Sequence, residues 1–226
     1  IKWFYHTKGG GFRKWYGNQE DVLNFENDGR ELRNFKGSSL TGYTNYFSEC
    51  ITYSRITWEK TRFRYTYESS IPNMAGLALY PNDDSLYILG WLNTNIVCKI
   101  LSVTNPTINF PPGTIGKLPI TIEDSIKENV SFITNQNIKF SKTDWDSFEI
   151  SWDFKRHPLL DNVIKDEQEA RVIKQDGQGK CMDTKTEVYL SIENAYENWK
   201  RICNDRFNQL KSNEEELNRI FIDIYG

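Results

Sequence analysis

Histidine and cysteine are scarce in this 226-residue sequence, with two of the former and four of the latter. Cys50, Cys98, Cys181 and Cys203 are separated by 48, 83 and 22 residues, and none forms a C-x-x-C pair or stands at ligand spacing from His6 or His157. No zinc signature results, and no metal site is expected. Scattered cysteines in a chain of this length fit the reducing cytoplasm, the expected location, where they act as small buried hydrophobes. Long apolar runs are also missing. None exceeds four residues, as in Leu86–Leu89, far short of the roughly 20 needed for a membrane-spanning helix, so no membrane partner is expected. Charge of one sign is not in excess either, with 28 Lys plus Arg against 31 Asp plus Glu and a formal charge of −3. The first residue is Ile1 rather than Met, no signal-peptide pattern follows, and Gly226 directly follows an apolar, helix-like segment. These ends lead to the expectation of a piece of a longer protein.

Catalytic signatures are lacking as well. Gly113-Thr114-Ile115-Gly116-Lys117 is too short for a phosphate-binding loop and runs on into Leu118. No G-x-G-x-x-G follows a strand, and no G-x-S-x-G elbow occurs. Asn105-Pro106-Thr107 is not the Asn/Asp-Pro-Pro-aromatic loop that holds a flipped adenine in amino-methyltransferases. The acidic groups Glu123/Asp124 and Glu214–Glu216 read as helix N-terminal charges, not as metal-binding clusters. No catalytic residue is therefore assigned.

What is present suffices for a folded core: 38% of the residues are apolar and 14% aromatic. Residues 18–35 suggest a polar helix with Val22, Leu23, Phe25, Leu32 and Phe35 near one face, interrupted at Asn27-Asp28-Gly29. Residues 51–67 change to a period of two. Ile51, Tyr53, Ile56 and Trp58 read as strand, and in 61–67 the alternation puts Arg62, Arg64 and Thr66 on one face and Phe63, Tyr65 and Tyr67 on the other. Gly76–Tyr80 reads as a further strand. Asp83-Asp84-Ser85 starts a core helix running through Leu86, Leu89, Leu92, Ile96 and Ile100, which Asn105-Pro106 ends. Pro111-Pro112-Gly113 marks a turn. The spacing predicts a helix over 122–140, an irregular stretch over 141–185 with a glycine-rich part at 175–179, and a helix seamed by Val188, Ile192, Ala195, Trp199 and Ile202. A last helix is predicted to open on the capping box Ser212-Asn213-Glu214-Glu215. The expected class is α+β: a mixed β-rich lobe with a core helix over 1–122, then a mainly helical lobe over 123–226.

The near-neutral total hides an asymmetry. Residues 1–65 carry 11 Lys plus Arg against 7 Asp plus Glu, while the other 161 carry 17 against 24. Within the basic part, Lys8-Gly9-Gly10-Gly11-Phe12-Arg13-Lys14-Trp15-Tyr16 combines backbone freedom, cations and aromatics, types that suit a nucleic-acid backbone and its bases. A solvated loop anchored by Trp15 and Tyr16 is the plainer reading. The Arg62/Arg64 face, with Arg55 and Lys60 nearby, sets like charges side by side in a way a polyanion would relieve. Its plainer reading is a solvated sheet face.

Several strings resemble one family. Lys2-Trp3-Phe4 through Lys8-Gly9-Gly10, then Phe12-Arg13-Lys14-Trp15-Tyr16-Gly17-Asn18, is similar to the start of the target-recognition region in adenine-specific DNA methyltransferases of the BREX phage-defence type, the PglX family, which are themselves similar to fused type II restriction-modification enzymes. Phe25-Glu26-Asn27-Asp28-Gly29, Ile51-Thr52-Tyr53-Ser54-Arg55-Ile56, Asn109-Phe110, Gly113-Thr114-Ile115 and Leu118-Pro119-Ile120 fit the same region. Ser151-Trp152-Asp153-Phe154, His157-Pro158-Leu159-Leu160 and residues 213–226 match its C-terminal part, so the resemblance spans nearly the whole chain. Tyr5 stands where Pro is the family pattern, His6-Thr7 where Tyr-Asn is, Cys50 for Gly and Tyr53 for Trp, so the recognised DNA site is not carried over.

The resemblance implies the specificity part of an S-adenosylmethionine-dependent adenine-N6 DNA methyltransferase from a restriction-modification or phage-defence system. The donor site and the Asn-Pro-Pro-Tyr loop would lie upstream, leaving no cofactor in this segment. Its expected partners are double-stranded DNA, the upstream methyltransferase domain and other defence-system proteins. On this reading Lys8, Arg13, Lys14, Lys60 and Arg62 would position phosphates, Arg55, Arg64 and Asn18 would be candidates for base readout, and Trp15 and Tyr16 would pack on sugars or a distorted duplex. A carbohydrate-binding module, which also uses exposed aromatics, and a nuclease domain remain as rivals.

Overall fold

A computed structural model describes residues 1–40, 42–68, 70–163, 174–175, 181–182 and 192–226. In chain order the elements are β1 (Trp3–Thr7), β2 (Asp21–Asn24), α1 (Glu26–Asn34), β3 (Cys50–Ser54), β4 (Phe63–Thr66), β5 (Ser70–Pro72), β6 (Gly76–Leu79), α2 (Ser85–Leu92), α3 (Asn95–Thr104), α4 (Pro112–Ile115), α5 (Lys127–Trp145), α6 (Pro158–Val163), β7 (Lys174–Gln175), β8 (Cys181–Met182) and α7 (Ile192–Tyr225). The chain is α+β, with a strand-rich beginning followed by helices. Of the glycine-rich stretch 175–179, residues 176–179 lie outside the described residues, as does Val188.

Two small sheets form the first part. In one, β1 is central, antiparallel to β2 and parallel to β5. The predicted helix over 18–35 yields to this pairing, because Val22 and Leu23 lie opposite Tyr5 and Phe4 as strand residues. Only the stretch after the predicted break is helical: Asn27, Asp28 and Gly29 all take left-handed backbone angles. Gly29 is required there, since a Cβ would stand 2.6 Å from the Phe25 ring. Phe25 meets Phe4, Tyr46 and Phe47 edge to face, and Phe4 and Phe47 are tilted against each other.

The second sheet has the order β4-β3-β6, all antiparallel. Its predicted alternation is real, but both faces of β4 are covered: Phe63 and Arg64 are both buried. Ile56 and Trp58 do not continue β3. They stand on an exposed turn, held to the rest by an isolated Ile56–Asn109 bridge. The predicted single core helix is two, α2 and α3, bent by 67°. Asn93 causes the break. Its carboxamide accepts from Phe63 N (3.1 Å) and donates to Phe63 O (2.9 Å), serving as a strand partner for the edge of β4. Thr94 then caps α3.

The helix predicted over 122–140 runs as α5 to Trp145. The last two predicted helices are one. Ser212 is not an N-cap but sits inside the 34-residue α7, where Asn213, Leu217 and Phe221 continue the buried seam begun by Ala195. One apolar core draws Ile51, Tyr53 and Phe63 from the second sheet, Leu89 and Leu92 from α2, Val130 and Ile133 from α5 and Leu217 and Phe221 from α7, so it is continuous across residue 122. Gly90 brings α2 close to α5, because a Cβ there would meet Thr134 Oγ1 at 2.5 Å. Among the described residues no single helix is long and apolar enough to cross a membrane.

Candidate nucleic-acid interface

The glycine run is built into the fold. Gly9 and Gly10 have φ of 93° and 96°, and a Cβ on Gly9 would lie 2.8 Å from Ala75 O. Gly10 O accepts from Ser54 Oγ at 3.0 Å, and Asn18 Nδ2 donates to Gly11 O at 2.9 Å. Their conformational freedom therefore seats the loop on β6 and the end of β3. Gly11 alone faces open space.

The residues that follow the glycines pack inward. Trp15 is 1% exposed. Its backbone bonds β4 on both sides, N to Phe63 O (3.0 Å) and O from Tyr65 N (2.8 Å), and its indole donates to Glu214 Oε1 at 2.8 Å. Lys14 Nζ pairs with Glu214 Oε2 at 2.6 Å, and burial lowers the lysine's pKa against the pull of that carboxylate. Arg13 stacks on Trp145 (4.7 Å) and pairs with Asp144 (3.2 Å). Tyr16 is buried beneath Lys142, and burial pushes its hydroxyl up to about 12. Arg13, Lys14, Trp15 and Tyr16 thus join the strands to α5 and α7. A cleft of about 580 Å³ lies between this loop and those helices, with Phe12, Arg62, Phe140 and Phe207 among its walls.

Arg62 and Arg64 point to different surroundings. Arg62 lies over Phe12 (5.3 Å) and donates to Cys98 Sγ (2.7 Å). Arg64 is 2% exposed, and burial lowers its pKa to about 10. Its side chain donates to Arg13 O at 3.4 Å and Ser54 Oγ at 3.5 Å, and neither acceptor is a carboxylate.

An exposed basic and aromatic ridge remains. Lys8 and Arg55 line one cleft of about 350 Å³ with Gly10, Ser54, Met74 and Asn109. Lys8 reaches Asp21 at 3.2 Å with both side chains about half exposed, and Arg55 Nε donates to Asn109 Oδ1 at 3.2 Å. Beside the cleft the 56–60 turn raises Ile56 (61% exposed) and Trp58 (87% exposed), followed by exposed Lys60. Of the predicted residues the fold brings Lys8, Arg55 and Lys60 to this ridge. Asn18 braces the loop behind it, and Arg13, Lys14, Trp15, Tyr16 and Arg64 lie within the packing.

Sequence reasoning placed Trp58 in a strand and passed over Ser54 as a site residue. The signal for Trp58 is the Ser54-Arg55 step, which breaks the alternation of Ile51 and Tyr53 before Ile56 and Trp58. The one Asn-Pro pair in the sequence is tied up locally. Asn105 Nδ2 donates to Thr107 O (3.4 Å) and Asn109 O (3.0 Å), closing the turn that backs Arg55.

Among the described residues no three His, Cys, Asp or Glu side chains gather as a metal site. No family model matches the chain. It is 35% identical over 233 residues to "Adenine-specific methyltransferase PglX" of Lacticaseibacillus casei (strain Zhang), with 99% of this chain aligned to 18% of that protein. It is 33% identical over 165 residues to "Adenine-specific methyltransferase BrxX" of Escherichia coli O9:H4 (strain HS), covering 71% of this chain and 13% of the relative. The chain therefore spans less than a fifth of the length of either.

Proposed function

Because the chain belongs to the PglX family of adenine-specific methyltransferases over the segment it spans, we propose that it is a DNA-recognition segment of such an enzyme. The observation that carries the reading is the ridge of exposed Lys8, Trp58 and Lys60 with half-buried Arg55, set around a cleft whose lining includes no carboxylate. Lys8 and Lys60 suit phosphate contacts, Arg55 with Asn109 suits a base edge or phosphate, and Trp58 supplies an apolar plate for sugar or a displaced base.

Adenine-N6 methylation, with S-adenosylmethionine as donor, belongs to the rest of such a protein. This segment lacks the Asn-Pro-Pro-aromatic sequence, and Asn105 spends its amide protons on its own turn. Its residues therefore do not supply the loop that would hold the target adenine. The long helices α5 and α7 would brace the recognition part against an upstream methyltransferase domain, within a cytoplasmic phage-defence or restriction-modification system that supplies further protein partners. Neither relative is described as a carbohydrate-binding protein or a nuclease.

Fluorescence anisotropy with a mixed-sequence duplex tests the reading. Lys8→Glu with Arg55→Glu is expected to weaken binding at least tenfold, while Lys36→Glu, in the exposed turn after α1 and outside the cleft lining, changes it about twofold at most. Equal affinities for the two variants would refute the assignment of the face.

A further inference from the structure

We propose that the cleft between the glycine loop and the end of β3 is a seat for a phosphate group, with Arg64 as its buried counter-charge. The phosphate is that of a polynucleotide backbone, and to this extent the inference rests on the DNA reading. It assigns the duplex a point of attachment that the exposed ridge alone does not define.

Arg64 is the buried cation nearest the cleft wall. It is enclosed by protein and its hydrogen bonds, at 3.4 and 3.5 Å, lie at the outer limit for such contacts. A buried guanidinium without an anion destabilises a fold. Its position relieves that cost only when an anion arrives nearby. Ser54 connects the two: its Oγ accepts from Arg64 Nη2, donates to Gly10 O, and belongs to the residue that forms part of the cleft wall. Lys8 and Arg55 line the same cleft, and no Asp or Glu does so. The partner of Lys8, Asp21, is itself about half exposed, so that ion pair is weak and exchangeable. Two cations, from the end of β3 and from the loop after β1, therefore line one cleft whose walls hold no carboxylate, and a third, Arg64 of β4, stands behind Ser54 in that wall. Arg55 adds a planar fork suited to phosphate oxygens. The apolar rim, Ile56 and Met74, suits the sugar that would flank the phosphate.

The test compares the full chain with Arg64→Met, Arg64→Lys and the surface double variant Lys8→Ala, Arg55→Ala. Thermal melting with and without inorganic phosphate and anisotropy with a duplex are the two readouts. The expected result has opposite signs for Arg64→Met: a melting temperature no lower than the parent's, because an unpaired buried cation is gone, and duplex binding weakened about tenfold. Arg64→Lys keeps the charge but not the fork and should lose about threefold. Phosphate should raise the melting temperature of the parent chain and not that of the surface double variant. A lowered melting temperature for Arg64→Met with unchanged duplex affinity makes Arg64 purely structural and overturns the proposal. Should Arg64→Met fail to fold, unchanged binding of both probes by Arg64→Lys and by the surface double variant overturns it equally. Phosphate stabilisation that depends on Lys8 and Arg55, with no duplex binding by any form, would keep the seat and refute the DNA reading instead.

Discussion

The first 84 residues and the helices after them solve different problems. Every described non-glycine residue with positive φ lies in the first part: Trp15, Asn18, Asn27, Asp28, Phe47 and Asp84. So does the buried unpaired Arg64 and the exposed Trp58. The helices are regular, with α2, α5 and α7 closing on Leu89, Val130, Leu217 and Phe221. Strained backbone and buried charge survive only where the surroundings over-determine them, and they concentrate where a protein meets a ligand. The helical part thus supplies the stability on which the strand part holds its less favourable geometry. Glu214 of α7 is the joint, holding Lys14 and Trp15 at once.

The largest effect is expected from the helical side. Phe221 is fully buried, and its ring meets that of Tyr87 at 5.4 Å. Phe221→Ala should cost about 3–5 kcal/mol, measurable by urea denaturation, and should unfold both parts in one transition. Two separate transitions would break the claim that the strand part leans on the helices. Next comes the joint. Glu214→Ala leaves the Lys14 ammonium and Trp15 indole without their acceptor and should cost about 1–3 kcal/mol. Glu214→Gln, which keeps one acceptor for the indole, should cost less. Equal losses would mean that Trp15 does not use this bond.

A pH effect should be confined to the strand part. His6 donates from Nδ1 to Ile71 O (2.8 Å), and its Nε2 accepts from Asn73 Nδ2 (3.2 Å). Burial holds its pKa below the ordinary 6.5. The unfolded chain therefore takes up the proton first as pH falls, so the contribution of His6 to stability is complete above 6.5 and declines below it. Melting temperature should drop more between pH 7.5 and 5.5 for the parent chain than for His6→Gln. The same drop in both would remove His6 from the account. The smallest stability effect belongs to Trp58→Ala, within about 0.5 kcal/mol because the ring is solvent-exposed, although duplex affinity should fall. A large loss of stability would show that Trp58 packs.

Much of this was legible in the residues. The α+β class, the alternation of 63–66, the strand beginning at Gly76 and the helical seams all follow from period. Val22 and Leu23 were misread as helix because a long-range partner, β1, decided their state, and no local pattern reports one. Asn93 broke the core helix for a similar reason: its carboxamide replaces a strand edge 30 residues away. The basic stretch 8–16 was recognised as special, but its composition could not separate a ligand-facing cation from one paired with Asp144 or Glu214 across more than 130 residues of sequence. Strict alternation placed Arg62 and Arg64 together, yet the loop carrying Arg13 and Trp15 covers Arg64. Composition thus located the site region, while tertiary packing decided which of its residues face outward.

The central claim is that the strand part presents a phosphate-binding face to duplex DNA. Its most direct test is the slope of log affinity against log salt concentration for the parent chain and for Lys8→Ala with Arg55→Ala. A linear fall is expected for the parent chain, with a slope of about −0.9 per phosphate neutralised, and a slope shallower by about one to two for the double variant. An affinity indifferent to salt, or a slope the double variant leaves unchanged, would contradict it.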